Sequence, residues 1–199
     1  MSQSKLISDK EQFEKALDLV KRAFDYEQRL PEQVFNVPFQ KKCVFDFDKT
    51  MSYSFWYELE RLVNLSNDPF ILMAVLDPHP IDYYYNEFSR YNWCILEKNT
   101  TPDEYWNAIK SSPEESPADA IVFNSEVVVW LSPSMKWAIW GERSYGIGIL
   151  GLSEELSSYR SESCITIDTA ISDFVSLNFG NKIPDEVASK LMLHYNNVD

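Results

Sequence analysis

The sequence predicts an α+β fold: a central, mostly antiparallel sheet with a strand meander at about 126–150 and flanking helices. Three observations predict it. Residues 125–150, SEVVVWLSPSMKWAIWGERSYGIGIL, read as three short strands joined by two tight turns. Residues 70–76, FILMAVL, are apolar at every position and bounded by turn residues, which fits a strand buried on both faces. Helical periodicity gathers in the first half of the chain rather than alternating regularly with strands, so a wound parallel sheet is disfavoured.

The 199 residues form one α+β domain over 1–199, in which 1–38 is an amphipathic helix and a polar connection packed on the rest. Ser8-Asp9-Lys10-Glu11 opens that helix, and Phe13, Ala16, Leu17, Val20 and Phe24 recur at its spacing. Residues 26–38 connect it to a first strand around Cys43-Val44-Phe45. Ser52 or Ser54 is placed to cap the next helix, whose buried face is Phe55, Leu59, Leu62 and Val63. Asn67-Asp68-Pro69 stops it before the apolar strand. Residues 81–91 read as a helix and 93–96 as a short strand. Thr101 and Pro102 start another helix, with Tyr105, Trp106 and Ile109 apolar. After the meander, 164–167 reads as one more strand, and 170–179 and 185–195 as helices. Within the meander Gly146 and Gly148 share a face and leave a slot across which Trp130 or Trp140 can lie.

Composition narrows the function. At 45% hydrophobic and 15% aromatic residues the chain has ample material for a core, so disorder is excluded as a description. No apolar run approaches the roughly 20 residues that span a bilayer. The start of the chain lacks a signal peptide's apolar centre, so the expected compartment is cytoplasmic, with no membrane partner. Cys43, Cys94 and Cys164 are widely spaced in apolar contexts and read as buried free thiols. The net charge of −13 weighs against nucleic acid as a ligand. It fits either a solvated surface or a basic protein partner.

Cys43-Val44-Phe45-Asp46-Phe47-Asp48-Lys49-Thr50 resembles the first motif of haloacid-dehalogenase-type phosphatases. That resemblance implies Asp46 as nucleophile, Asp48 as general acid/base, and both as magnesium ligands. Other landmarks of that family depart here: the apolar strand ends in Asp77 rather than Ser or Thr, and Ile167-Asp168 with Asp173 only loosely matches the late acidic pair. The competing description is a strand running into a solvated acidic turn. His79 and His194 have no metal-ligand spacing and read as structural, and no serine stands in a nucleophile elbow.

Two aromatic groups are candidate partner-binding sites. Among Tyr83-Tyr84-Tyr85 at least one ring must lie outside the core, and Tyr84 and Tyr85 are taken as the anchors. Trp137, Trp140, Glu142 and Arg143 form the second set, in which Arg143 binds a partner carboxylate or pairs internally with Glu142. Phe55-Trp56, Leu76-Asp77-Pro78, Tyr83-Tyr84-Tyr85, Ser116-Pro117-Ala118-Asp119-Ala120 and the Trp-x-Ile-Trp-Gly-Glu-Arg hairpin at 137–143 are similar to landmarks of a group of small, acidic, uncharacterised bacterial proteins. Size and acidity are also similar to those of bacterial immunity proteins, by analogy alone. The expectation is a non-enzymatic binding protein without cofactor, an immunity protein that neutralises a toxin such as a basic nuclease. Its alternatives are the magnesium-dependent phosphatase on Asp46 and Asp48, and a structural or regulatory domain.

Overall fold

The computed structural model describes residues 6–197; the first five and last two residues, part of the polar N-terminal stretch among them, lie outside the described residues. One six-stranded sheet organises the chain. Its strands are β1 (Lys41–Asp46), β2 (Phe70–Asp77), β3 (Trp93–Glu97), β4 (Val127–Leu131), β5 (Trp137–Glu142) and β6 (Ile147–Leu152). They lie in the order β1-β6-β5-β4-β2-β3, and every neighbouring pair is antiparallel. The α+β reading and its meander therefore hold.

Helical segments cover both faces: α1 (Lys10–Ala23), α2 (Phe47–Thr50), α3 (Trp56–Ser66), α4 (Asn86–Phe88), α5 (Pro102–Lys110), α6 (Ile167–Ala170), α7 (Ser176–Asn178) and α8 (Asp185–Tyr195). One core layer joins α1, the connection after it, α6 and α8 to the sheet through Phe13, Val20, Val129 and Trp140. The other joins α3 and α5 through Leu59, Leu62, Tyr105, Trp130 and Ile139. Because both faces are covered, β2, β4, β5 and β6 are buried at nearly every position, so their sequences do not alternate.

Local chemistry sets the helix ends. Asp9 caps α1 by accepting from the Gln12 amide at 2.8 Å. Thr101 and Glu104 close a capping box on α5, with Pro102 at its first position. Asn67, at φ 55°, turns the chain out of α3. The expected serine cap of α3 is corrected: Phe55 is the N-cap position, and Ser52 instead precedes a short 3-10 turn at Tyr53–Phe55.

Three further expectations need correction. Residues 164–167 are not a strand; Ile165 alone bridges Val44, and Ile167 already begins α6. The helix at 81–91 is a π-turn, Pro80–Tyr85, followed by α4. Cys43 and Cys164, expected as separate thiols, are joined as a disulfide with Cα atoms 5.5 Å apart, whereas Cys94 is free and buried. The bridge between Val44 and Ile165 brings these segments side by side across a gap the sequence does not reveal. The glycine slot is real but differently built. Gly146 sits at φ 69° in the turn before β6, while Gly141 and Gly148 are cross-strand partners. A Cβ on Gly141 would meet the Trp130 ring at 3.2 Å and the Phe47 ring at 3.3 Å, so those rings fill the slot. No helix is long and apolar enough to cross a membrane among the described residues.

The outer edges of the sheet are covered by short pieces of chain. Val44 of β1 exchanges backbone bonds with Ile165, and the Asn197 amide bonds to both the amide and carbonyl of Lys42. On β3, the Ile7 amide donates to the Trp93 carbonyl at 2.8 Å. Exposed edges invite foreign strands, so these covers protect the sheet.

Candidate functional site

One end of the sheet gathers most of the residues singled out from sequence. The register sets Asp46, Ile147, Glu142, Val127 and Asp77 in a single row across five strands. Paired residues in such a row share a face. Three carboxylates thus stand along one rim, but each is held differently.

Asp46 ends β1 and caps α2, accepting from the Asp48 amide at 3.1 Å. Partial burial pushes its carboxyl up, and the neighbouring Asp48 charge adds to this. The Asp48 side chain is 88% exposed and lies 4.0 Å from the Arg143 guanidinium. A cleft of about 260 Å³ opens between these groups and Phe174, Leu177 and Asn178. Thr50, the third residue of the phosphatase-like motif, is buried and donates back to the Phe47 carbonyl at 2.6 Å.

The strand-end position that would complete that motif does not reach Asp46. Asp77 ends β2, which is four strand spacings away, about 19 Å. The Lys49 amine is engaged by the Ser163 hydroxyl. Asp168 lies in the first turn of α6 and Asp173 in the π-turn that follows. Among the described residues no group of three or more His, Cys, Asp and Glu side chains is arranged to hold a metal ion. The phosphatase-like motif lies on a strand at the edge of an antiparallel sheet, with Asp46 capping the short helix that follows.

The proposed aromatic anchors are largely interior. Trp137 and Trp140 have no exposed surface, and Tyr84 is 1% exposed. Trp137 donates from Nε1 to Ser66 Oγ, and Tyr84 donates to the Asp119 carbonyl. Tyr85 is half-buried and stacks on Tyr91 with ring centroids 4.6 Å apart. Glu142 is buried too; Oε2 accepts from Trp140 Nε1 at 2.9 Å and from the Leu30 amide at 3.1 Å. Burial pushes its carboxyl up, against those two hydrogen bonds. As consecutive strand-end residues, Glu142 and Arg143 point to opposite sides, so no internal ion pair forms between them. The reason the sequence misleads is that both faces of the sheet are covered, so even polar-looking strand positions are interior.

Arg143 is half-buried and donates to two backbone carbonyls. Nε donates to the Ser125 carbonyl at 2.8 Å and Nη2 to the Val122 carbonyl at 3.2 Å. Its guanidinium also lies over the Phe47 ring, 4.7 Å from the centroid. It braces the 120–125 turn. Asp119 braces the same turn from the other side, accepting from Tyr83 at 2.8 Å, from the Asn124 amide at 2.5 Å and from the Ser116 hydroxyl. Burial alone would raise this carboxyl, but those three donors together hold it below its usual range.

The exposed aromatics among the described residues are others: Phe123 at 69%, Tyr57 at 50%, Tyr83 at 43% and Tyr53 at 37%. Tyr57 was findable, because it falls between the buried positions Phe55 and Leu59 on α3. Tyr83 follows from the tyrosine run once its π-turn geometry is known. Phe123 had no local signal. Both histidines meet backbone groups. His79 Nδ1 accepts from the Asp82 amide at the head of the π-turn, and His194 meets the Pro31 carbonyl at 2.9 Å. No protein-family model matches the chain, and neither a curated protein nor a solved structure is significantly similar to it.

Proposed function

We propose that the protein is a non-enzymatic binding protein that neutralises a basic toxin domain, in the manner of a bacterial immunity protein. The observation that carries this reading is the charge of two adjoining surface segments. Residues 77–90 and 111–126 together hold seven carboxylates and one arginine. They are tied to each other by the Tyr83–Asp119 hydrogen bond and by the Glu126 amide, which donates to the Asp77 carbonyl. A field of one sign on one region steers association with a partner of the other sign. The separation of Asp77 from Asp46 by four strand spacings also favours binding over chemistry.

The test is a pull-down with the purified protein from a lysate of its source cell, at low and at high salt. The expected result is one stoichiometric basic protein, released by salt. Expressed alone, that partner arrests growth; expressed with this protein, it does not. A partner harmless on its own, or no basic partner at all, overturns the reading.

A further inference from the structure

We propose that Phe123 is the apolar anchor of the docking surface, with Tyr83 tied to the same turn through Asp119, and that its occupant is a basic protein surface with an apolar pocket. This rests on the neutralising reading above and adds the point of contact. Phe123 is a large apolar side chain left 69% exposed. Its neighbours Ala120 and Ile121 are buried, so the turn has a core side and Phe123 is excluded from it.

The backbone holds the ring out. The Phe123 and Asn124 amides both donate to the Ala120 carbonyl at 2.9 Å. The Val122 amide donates to the Ile109 carbonyl at the end of α5. Arg143 holds the Val122 and Ser125 carbonyls, and Asp119 holds the Asn124 side chain. A turn fixed from three directions loses little freedom when it docks, and Phe itself has only two side-chain torsions. Such pre-organisation favours tight binding, because less ordering entropy is lost on association. Tyr83, 43% exposed and hydrogen-bonded to Asp119, is fixed to the same network. Rigid aromatic anchors surrounded by polar groups are the usual form of a binding hot spot.

The charge decides the occupant. The segments 77–90 and 111–126 that carry this patch hold seven carboxylates, and Arg90 together with the adjoining Lys110 and Arg143 does not offset them. A second copy of this chain would bring the same negative field against itself, and an anionic membrane would repel it. A basic protein satisfies both the ring and its surroundings.

The experiment compares wild type, Phe123→Ser and Leu193→Ser. Leu193 is a control, because it is 77% exposed on α8. Each protein is immobilised and exposed to the source-cell lysate, the retained protein is identified by mass spectrometry, and its affinity is then measured. A photo-reactive phenylalanine analogue at position 123 gives a second, direct readout. Unfolding temperatures of both variants should match wild type, since both side chains are at the surface. The expected result is a basic partner that crosslinks from position 123, is bound at least ~10-fold more weakly by Phe123→Ser, and is unaffected by Leu193→Ser. A basic partner held equally by Phe123→Ser overturns this inference and leaves the neutralising reading standing. Absence of any basic partner overturns both. Self-association that Phe123→Ser abolishes, or a neutral or acidic partner, overturns the choice of occupant.

Discussion

The Arg143 guanidinium, at the end of the fifth strand, donates to the carbonyls of Val122 and Ser125, and so fastens one loop to the head of another. Arg143→Ala removes both bonds. The expected loss is about 1–2 kcal/mol, a drop in Tm of about 2–8 °C for a chain of this size. Amide exchange at Phe123 and Asn124 should accelerate beyond what that global loss explains. Arg143→Lys should recover less than half of the effect, because an ammonium cannot reproduce the two-pronged geometry. Unchanged exchange at those amides would contradict the bracing role.

Glu142 carries a testable pH dependence. Its carboxyl is pushed above the ordinary 4.5 by burial. Folding therefore favours the protonated form. The stability tied to this group is fully present below about pH 4.5 and is lost as pH rises through the folded value. Glu142→Gln keeps an acceptor for Trp140 and Leu30 without the charge. It should match wild type at pH 4 and exceed it at pH 7 in urea unfolding. Glu142→Ala should cost about 1–3 kcal/mol for each orphaned donor. A wild type that gains on the glutamine variant as pH rises would refute this.

Asp119 has the opposite sign. Its carboxyl lies below the ordinary 3.8 despite burial, because Ser116, Tyr83 and Asn124 all donate to it. The stability it contributes is present above the unfolded value and is lost as pH falls through the folded one. Asp119→Asn should therefore be weaker than wild type at neutral pH, and the difference should shrink as the solution is acidified below about 3.8. Parallel curves for the two proteins across that range would count against the network.

Gly151 pairs with Lys42 and Ala138 in the sheet, and a Cβ there would fall 2.2 Å from the Phe39 ring. Gly151→Ala must displace that ring from the core. The expected cost is about 1–3 kcal/mol. Gly151→Ala combined with Phe39→Leu should cost less than the two single changes summed, and a simple sum would show that the ring is not what the glycine accommodates.

The sheet was largely legible in the sequence, and the surface largely was not. FILMAVL declared a doubly covered strand, and the structure places it between β3 and β4. The three meander strands are legible within residues 125–150, and Gly146 at φ 69° sets the start of the last one at Ile147. The site residues were harder for a physical reason. Trp137, Trp140 and Glu142 sit on strands covered on both sides, so their exposure depends on helices more than 20 positions away in the chain, such as α1 and α3. Of the tyrosine run, Tyr84 and Tyr85 were chosen as anchors, while the π-turn buries Tyr84, half-buries Tyr85 and turns out Tyr83. Nothing local announces that Arg143 would reach the carbonyls beside Phe123.

The covering of the first strand has a consequence for the time order of synthesis. Lys42 waits for the Asn197 amide, which is 155 positions later in the chain. At translation speeds of 5–20 residues per second that interval is roughly 8–30 s. For most of it, until β6 and then Ile165 are synthesised, Cys43, Val44 and Phe45 form an apolar ribbon whose partners on both sides have yet to be made. The yield of correctly folded protein should therefore depend on how well the nascent chain is shielded during that window, more than on the stability of the finished sheet.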